Sequence, residues 1–123
     1  GHKKAWGQFF TSPSIAAFMA SLLRSPTRSE VRVLDPGAGT GVLGLAAAEA
    51  LIVRHGVRVH LTAVEQEPGA VAALRDAAAA ARARLGAALR VDVLEDDFLD
   101  LDRPLLGTTP LASFDYAIAN PPY

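Results

Sequence analysis

Apolar and polar residues alternate in Val31-Arg-Val-Leu-Asp35, a period that predicts a strand. Val42 to Arg54 follows as an apolar run of helical length, with Gly56 placed to cap its end. Val59 to Val64 predicts a second strand, running into Glu65. Pro68 opens an alanine-rich helix that reaches Leu85, with Val71, Leu74, Ala78 and Ala81 facing inward and Gly86 as its stop. Ala88 to Leu94 predicts a third strand. Arg103 to Ser113 has no period and holds two prolines and a glycine, so it predicts a loop. Phe114 to Ala119 predicts a fourth strand, followed at once by Asn120-Pro-Pro-Tyr123. Near the start, Thr11-Ser-Pro13 is a helix-initiating signal. Ile15, Phe18, Met19, Leu22 and Leu23 then form one apolar helical face, which Ser25-Pro26 ends.

Strands alternating with helices predict an α/β fold, a Rossmann-like parallel sheet with right-handed crossovers. Such a sheet takes its ligand outside the carboxyl ends of the strands, at the point where the strand order reverses. The polar clusters all fall at strand ends: Asp35 with its glycines, Glu65, Asp97 with Phe98, and Asn120 to Tyr123. Gly37, Gly39 and Gly41 recur at every second position directly after the first strand. Glycine there removes the Cβ that would hold a ligand away, and the opening turn of the next helix presents free N–H groups. Gly39, Gly41 and Gly44 also satisfy the dinucleotide pattern G-x-G-x-x-G, but Gly39 lies four residues past Asp35 instead of in the tight turn. An acid at the strand end suits a ligand ammonium better than a pyrophosphate.

Glu65 stands where a carboxylate accepts the two hydroxyls of a ribose. Asp97, or its competitor Asp96, is placed to accept from an adenine amino group, with Phe98 to cover the ring or to serve as core. Asn120-Pro-Pro-Tyr123 suits methylation of a planar amino nitrogen, whose lone pair is delocalised. The Asn120 amide oxygen and the Pro121 carbonyl each accept one N–H, which favours pyramidal nitrogen and stabilises the developing charge. The prolines stiffen the loop, and Tyr123 offers a face for stacking a base.

The chain has 123 residues, half of them hydrophobic and 20% charged, enough for one domain with a core. A net charge of −1 gives the chain as a whole no footprint for a polyanion. With no cysteine, disulfides, thiolate metal sites and a cysteine nucleophile are excluded, and His2, His55 and His60 do not make a metal-ligand spacing. The longest apolar run, Val42 to Val53, is too short to span a membrane and carries Glu49. No signal peptide is visible, and Gly1-His2 reads as a tag remnant.

The Asp35-x-Gly37-x-Gly39-x-Gly41 pattern resembles the cofactor loop of S-adenosylmethionine-dependent methyltransferases. With Asn120-Pro-Pro-Tyr123, and with Gly7, Phe9, Thr11 and Pro13 ahead of the first helix (Ser12 intervening), the chain resembles N6-adenine DNA methyltransferases of restriction–modification systems. The resemblance covers nearly all residues from 3 to 123. It implies the N-terminal portion of a methyltransferase catalytic domain, truncated after the fourth strand, with an extra N-terminal helix. By that resemblance Thr11 touches the methionine end of S-adenosylmethionine, and Asp35, Pro36, Gly37, Ala38, Gly39 and Gly41 form its loop. Glu65, with Gln66 beside it, holds the ribose, and Asp97 and Phe98 hold the adenine. Asn120, Pro121, Pro122 and Tyr123 hold a target base flipped out of the duplex. The family's later strands and DNA-reading region are not in the sequence. The expectation is therefore DNA as partner through those parts, a fourth-strand edge open to self-association, no turnover by this piece alone, and a bacterial or archaeal cytoplasm.

Other readings stand beside this one. Asn-Pro-Pro-Tyr also occurs in enzymes that methylate a protein glutamine amide, similar loops serve RNA, and cytosine N4 offers the same amino chemistry. A different class is a nicotinamide-dependent oxidoreductase domain using Gly39, Gly41 and Gly44. Another is a binding module that keeps the fold without turnover.

Overall fold

A computed structural model describes Ser14, residues 23–96 and residues 114–118. Within them the chain runs β1 (Glu30–Asp35), α1 (Val42–His55), β2 (Arg58–Glu65), α2 (Pro68–Leu85), a 3-10 turn (Gly86–Ala88), β3 (Leu89–Glu95) and β4 (Tyr116–Ala117). The four strands are parallel, in the order β3-β2-β1-β4.

In β1, β2 and β3 the odd-numbered side chains face the helices. Val31, Val33, Val59, Leu61 and Leu89 pack against Leu43, Ala47, Ala48 and Leu51 of α1 and Ala81 of α2. Leu74 of α2 is fully buried with Ala38 and Ala63, and burying such a side chain stabilises the fold by about 1.5–3 kcal/mol. Both helices therefore cover one face of the sheet. The even positions form the other face. Leu34 and Val64 cluster there with Leu94 and Phe114 toward the carboxyl ends, while Arg32, His60 and Arg90 lie in register nearer the amino ends.

Helix ends follow the sequence signals. Gly41 at the start of α1 and Gly56 at its end adopt left-handed backbone. In α2 the Glu67 carboxylate accepts the Ala70 N–H at 2.7 Å, and Pro68 occupies the first turn. Arg82 and Arg84 close α2 where the helix dipole favours cations. Arg84 reaches Glu49 of α1 at 2.6 Å.

Two strands differ from expectation. β3 starts at Leu89 instead of Ala88, because residues 86–88 form the 3-10 turn and the Leu89 N–H bonds back to the Gly86 carbonyl. β4 pairs over Tyr116–Ala117 instead of 114–119. Phe114 turns into the Leu34 cluster, and the Arg32 N–H goes to the Asp115 carboxylate at 2.8 Å instead of to a β4 carbonyl. Ala119 lies outside the described residues. So does most of the predicted N-terminal helix, of which Ser14 is helical and Leu23 packs on the core.

β1, β2 and β3 step outward in one direction, and β4 returns to the opposite side of β1. The reversal puts the switch point between β1 and β4. A knot of contacts fixes the short β4 in place. Tyr116 Oη donates to the Arg24 carbonyl at 2.8 Å, and Arg24 donates to the Asp115 carbonyl at 2.9 Å. The Arg24 guanidinium also lies 5.1 Å from the Tyr116 ring centre.

Candidate functional site

The loop from Asp35 to Gly41 leaves β1 at the switch point and is braced from three sides. The Ala38 N–H bonds the Val64 carbonyl of β2, and the Gly41 N–H bonds the Ala38 carbonyl, both at 2.9 Å. The Gly39 N–H bonds Glu65 Oε1 at 2.7 Å. Gly39 and Gly41 have φ of 58° and 92°, the left-handed region that only glycine enters without strain.

The glycines divide into two kinds by what a Cβ would meet. At Gly37 and Gly39 it would meet nothing within 4 Å. Those two positions line open space in front of the loop. At Gly41 a Cβ would lie 2.5 Å from Leu74 Cδ1, and at Gly44 it would lie 2.6 Å from Asp35 Oδ2. These two let α2 and β1 approach α1. Gly44, the third glycine of the literal dinucleotide pattern, is therefore a packing residue.

Asp35 lies beneath the loop with 2% of its surface exposed. The N–H groups of Gly37 and Gly44 donate to its carboxylate. Burial pushes its pKa up to about 7, and the nearby charge of Glu65 adds to the rise, while the two backbone donors oppose it. The Asp35 carboxylate is thus held by the loop backbone beneath the position expected to meet a ligand ammonium. Glu65 behaves differently. Its two oxygens accept from Gly39 and, at 3.0 Å, from Glu67 N–H, yet the side chain stays partly exposed. Each oxygen keeps a lone pair for a further donor.

Of the remaining predicted residues, Pro36 is half-buried at the loop's start and Gln66 is exposed beside Glu65. Asp96 follows β3 with its N–H on the Glu65 carbonyl at 3.0 Å. Thr11, Asp97, Phe98, Asn120, Pro121, Pro122 and Tyr123 lie outside the described residues. The Glu65–Gly39 clamp and the seat of Gly44 on Asp35 were not anticipated, since neither leaves a mark in local spacing. Among the described residues no group of three histidine, aspartate or glutamate side chains is placed to hold a metal, and no helix is long and apolar enough to cross a membrane.

Residues 14–123 match the family described as methyltransferase small domain. The chain belongs to that family. As a methyltransferase small domain it is 31% identical, over 99% of its length, to the type II methyltransferase M.BsuBI of Bacillus subtilis. It is 42% identical, over 80% of its length, to ribosomal RNA large subunit methyltransferase G of Streptomyces griseus. It covers 25% and 22% of those two proteins, so it spans about a quarter of the length of the curated relatives it matches. A crystal structure from Listeria monocytogenes, assigned to the class I S-adenosylmethionine-dependent methyltransferases, superposes with a TM-score of 0.62 at 25% identity. That superposition covers 73% of this chain and 27% of the Listeria chain.

S-adenosylmethionine is the cofactor that this family and fold imply. The described residues fit it. The space that Cβ atoms would fill at Gly37 and Gly39 forms a cradle against bare backbone, and the free lone pairs of Glu65 face the same carboxyl edge.

Proposed function

We propose that this methyltransferase small domain is the cofactor-binding part of an S-adenosylmethionine-dependent DNA methyltransferase acting on the N6 amino group of adenine. What carries the reading is the sequence Asn120-Pro-Pro-Tyr123 following directly on β4, whose described end lies at the switch point. Ile118 donates its N–H to the Leu34 carbonyl at 2.8 Å, beside the last residue of β1. Asn120 is two residues further on, and two residues of chain span at most about 7 Å. The described end of β4 and the glycine loop thus leave the sheet from neighbouring strands at the switch point. The match of 99% of this chain to a quarter of a type II methyltransferase supports the DNA substrate.

In this reading the glycine loop takes the methionine end, and Glu65 takes the ribose hydroxyls, with Gln66 at its side. Thr11, Asp97 and Phe98 complete the cofactor site. Bound S-adenosylmethionine supplies a methyl group on a sulfonium, which leaves as a neutral thioether. The Asn120 amide oxygen and the Pro121 carbonyl accept the two N–H bonds of the target amine and free its lone pair for attack. Pro122 stiffens the turn, and Tyr123 stacks the flipped base. The nitrogen loses one proton to solvent after transfer, so no strong base is needed.

The match to a ribosomal RNA methyltransferase favours a second reading with the same chemistry on an RNA amino group. The test is radiolabelled methyl transfer to duplex DNA, with ribosomal RNA and a glutamine peptide as alternative acceptors, followed by digestion to nucleosides. Label in N6-methyldeoxyadenosine is the expected result. Label confined to RNA or to the peptide overturns it.

A further inference from the structure

The carboxyl end of the sheet is acidic, whereas the amino end gathers arginines with a smaller number of acids, Glu30, Asp92 and Asp115. β1 has Arg32 near its start and Asp35 at its end; β2 runs from Arg58 to Glu65, and β3 from Arg90 to Glu95. Glu65 and Glu95 are register partners at the carboxyl edge, with Asp96 beside them. At the amino end, Arg32, His60 and Arg90 are register partners across three strands on the face that carries neither α1 nor α2. With Arg28 and Arg58 they line an open groove of about 690 Å³.

The groove's acids do not close it. Arg28 pairs with Asp115 at 3.5 Å, Arg58 with Glu30 at 3.2 Å, and Arg90 with Asp92 at 3.4 Å, each arginine side chain being about two-thirds exposed. Exposed pairs of this kind contribute little to stability and exchange readily for another anion. Among the described residues no carboxylate pairs with the Arg32 guanidinium. Between Arg32 and Arg90 lies His60, whose Nε2 is 2.6 Å from Asp92 Oδ2, so the basic character of the groove comes from its arginines. Guanidinium groups present the planar fork that suits phosphate oxygens.

We infer that this groove binds the phosphodiester backbone of the nucleic-acid substrate, outside the target base. The inference rests on the proposed function, which requires a polyanion to be held by a chain of net charge −1. The groove is lined by four arginines, Arg28, Arg32, Arg58 and Arg90, against two acids, Glu30 and Asp115, which leaves it an excess of positive charge for phosphate. β2 has eight residues, so the groove lies about 23 Å from Glu65 at about 3.3 Å per residue. Its contacts therefore fall on flanking phosphates and carry no base specificity.

The test is fluorescence anisotropy of the 123-residue chain with labelled oligothymidylate, which offers phosphates but no amino group to methylate. The double variant Arg58→Glu with Arg90→Glu is expected to weaken binding at least tenfold at low salt. It should also lower the slope of log K against log salt by about 1.4, roughly 0.7 per lost contact to a single strand. Arg75→Glu, on the exposed side of α2, is the control and should change neither. Circular dichroism of each variant establishes that the sheet is intact, and a milder Arg32→Ala should give a smaller loss of the same kind. No binding of oligothymidylate, or an equal effect of Arg75→Glu, overturns the proposal. So does groove-dependent binding of polyglutamate of equal strength, which would make the groove a site for acidic protein. A separate titration with S-adenosylmethionine reports on the function reading, so the two failures are distinguishable.

Discussion

Glu65 Oε1 accepts the backbone N–H of Gly39 at 2.7 Å, across 26 positions of sequence. The bond joins the end of β2 to the crown of the glycine loop, so the carboxylate proposed to accept the ribose and the loop proposed to cradle the methionine end are one unit. Hydrogen bonds to charged groups contribute about 1.5–3 kcal/mol each. Glu65→Ala is therefore expected to weaken S-adenosylmethionine binding more than tenfold, measured by calorimetry. Hydrogen exchange at the Gly39 amide should quicken in the same variant. Affinity unchanged from wild type would place the ribose elsewhere.

The two kinds of glycine predict opposite phenotypes. Gly44→Ala drives a Cβ to 2.6 Å from Asp35 Oδ2, and overpacking of this kind costs about 1–3 kcal/mol. A lowered midpoint in chemical denaturation is expected. Gly37→Ala meets nothing within 4 Å and has no positive φ. It should leave the denaturation midpoint close to wild type and weaken S-adenosylmethionine binding. If Gly37→Ala instead destabilises the fold and binds normally, the open space is not the cofactor's.

The α/β class, the strand and helix order, and the loop at the end of β1 were legible because each depends on local period and on glycine and proline placement. The Val31–Asp35 alternation and the Pro68 and Gly86 boundaries are of that kind. What was not legible depends on pairs distant in sequence. The burial of Asp35 follows from how closely α1 crosses β1 at Gly44, which no local pattern announces. β4 was read as six residues, but Asp115 intercepts the Arg32 N–H with its side chain. The basic groove escaped notice because Arg28, Arg32, Arg58 and Arg90 are spread along the sequence, and register alone brings them together. The neutral net charge concealed it.

Asp35 predicts a pH dependence. Its folded pKa is raised from 3.8 to about 7, so between those values the folded state holds a proton that the unfolded chain has released. Its contribution to stability is fully present below pH 3.8 and is lost as the pH rises through about 7. The slope from this one group is at most about 1.4 kcal/mol per pH unit. Asp35→Asn should flatten the stability curve relative to wild type over that window, measured by urea denaturation at a series of pH values. Parallel curves would mean that Asp35 stays ionised beneath the loop.

The last prediction separates binding from chemistry. Glu65 is proposed at the cofactor's end of the switch point, and Asn120 at the acceptor's end. In the proposed mechanism the Asn120 amide meets the target nitrogen most strongly as that nitrogen gains charge, so its loss is expected to act on the transition state and not on the cofactor. In the full-length polypeptide, Asn120→Ala should lower single-turnover methyl transfer by at least about a hundredfold, the scale seen when one preorganised polar group is removed from a transition state. S-adenosylmethionine affinity should stay within about twofold of wild type, because a group that acts only in the transition state contributes nothing to ground-state binding. Glu65→Ala should show the converse, weak cofactor binding with transfer largely restored at saturating S-adenosylmethionine. Transfer that survives in Asn120→Ala would remove the amide from the mechanism and leave the Pro121 carbonyl as the sole acceptor. Loss of cofactor binding in Asn120→Ala would instead place that residue in the cofactor site.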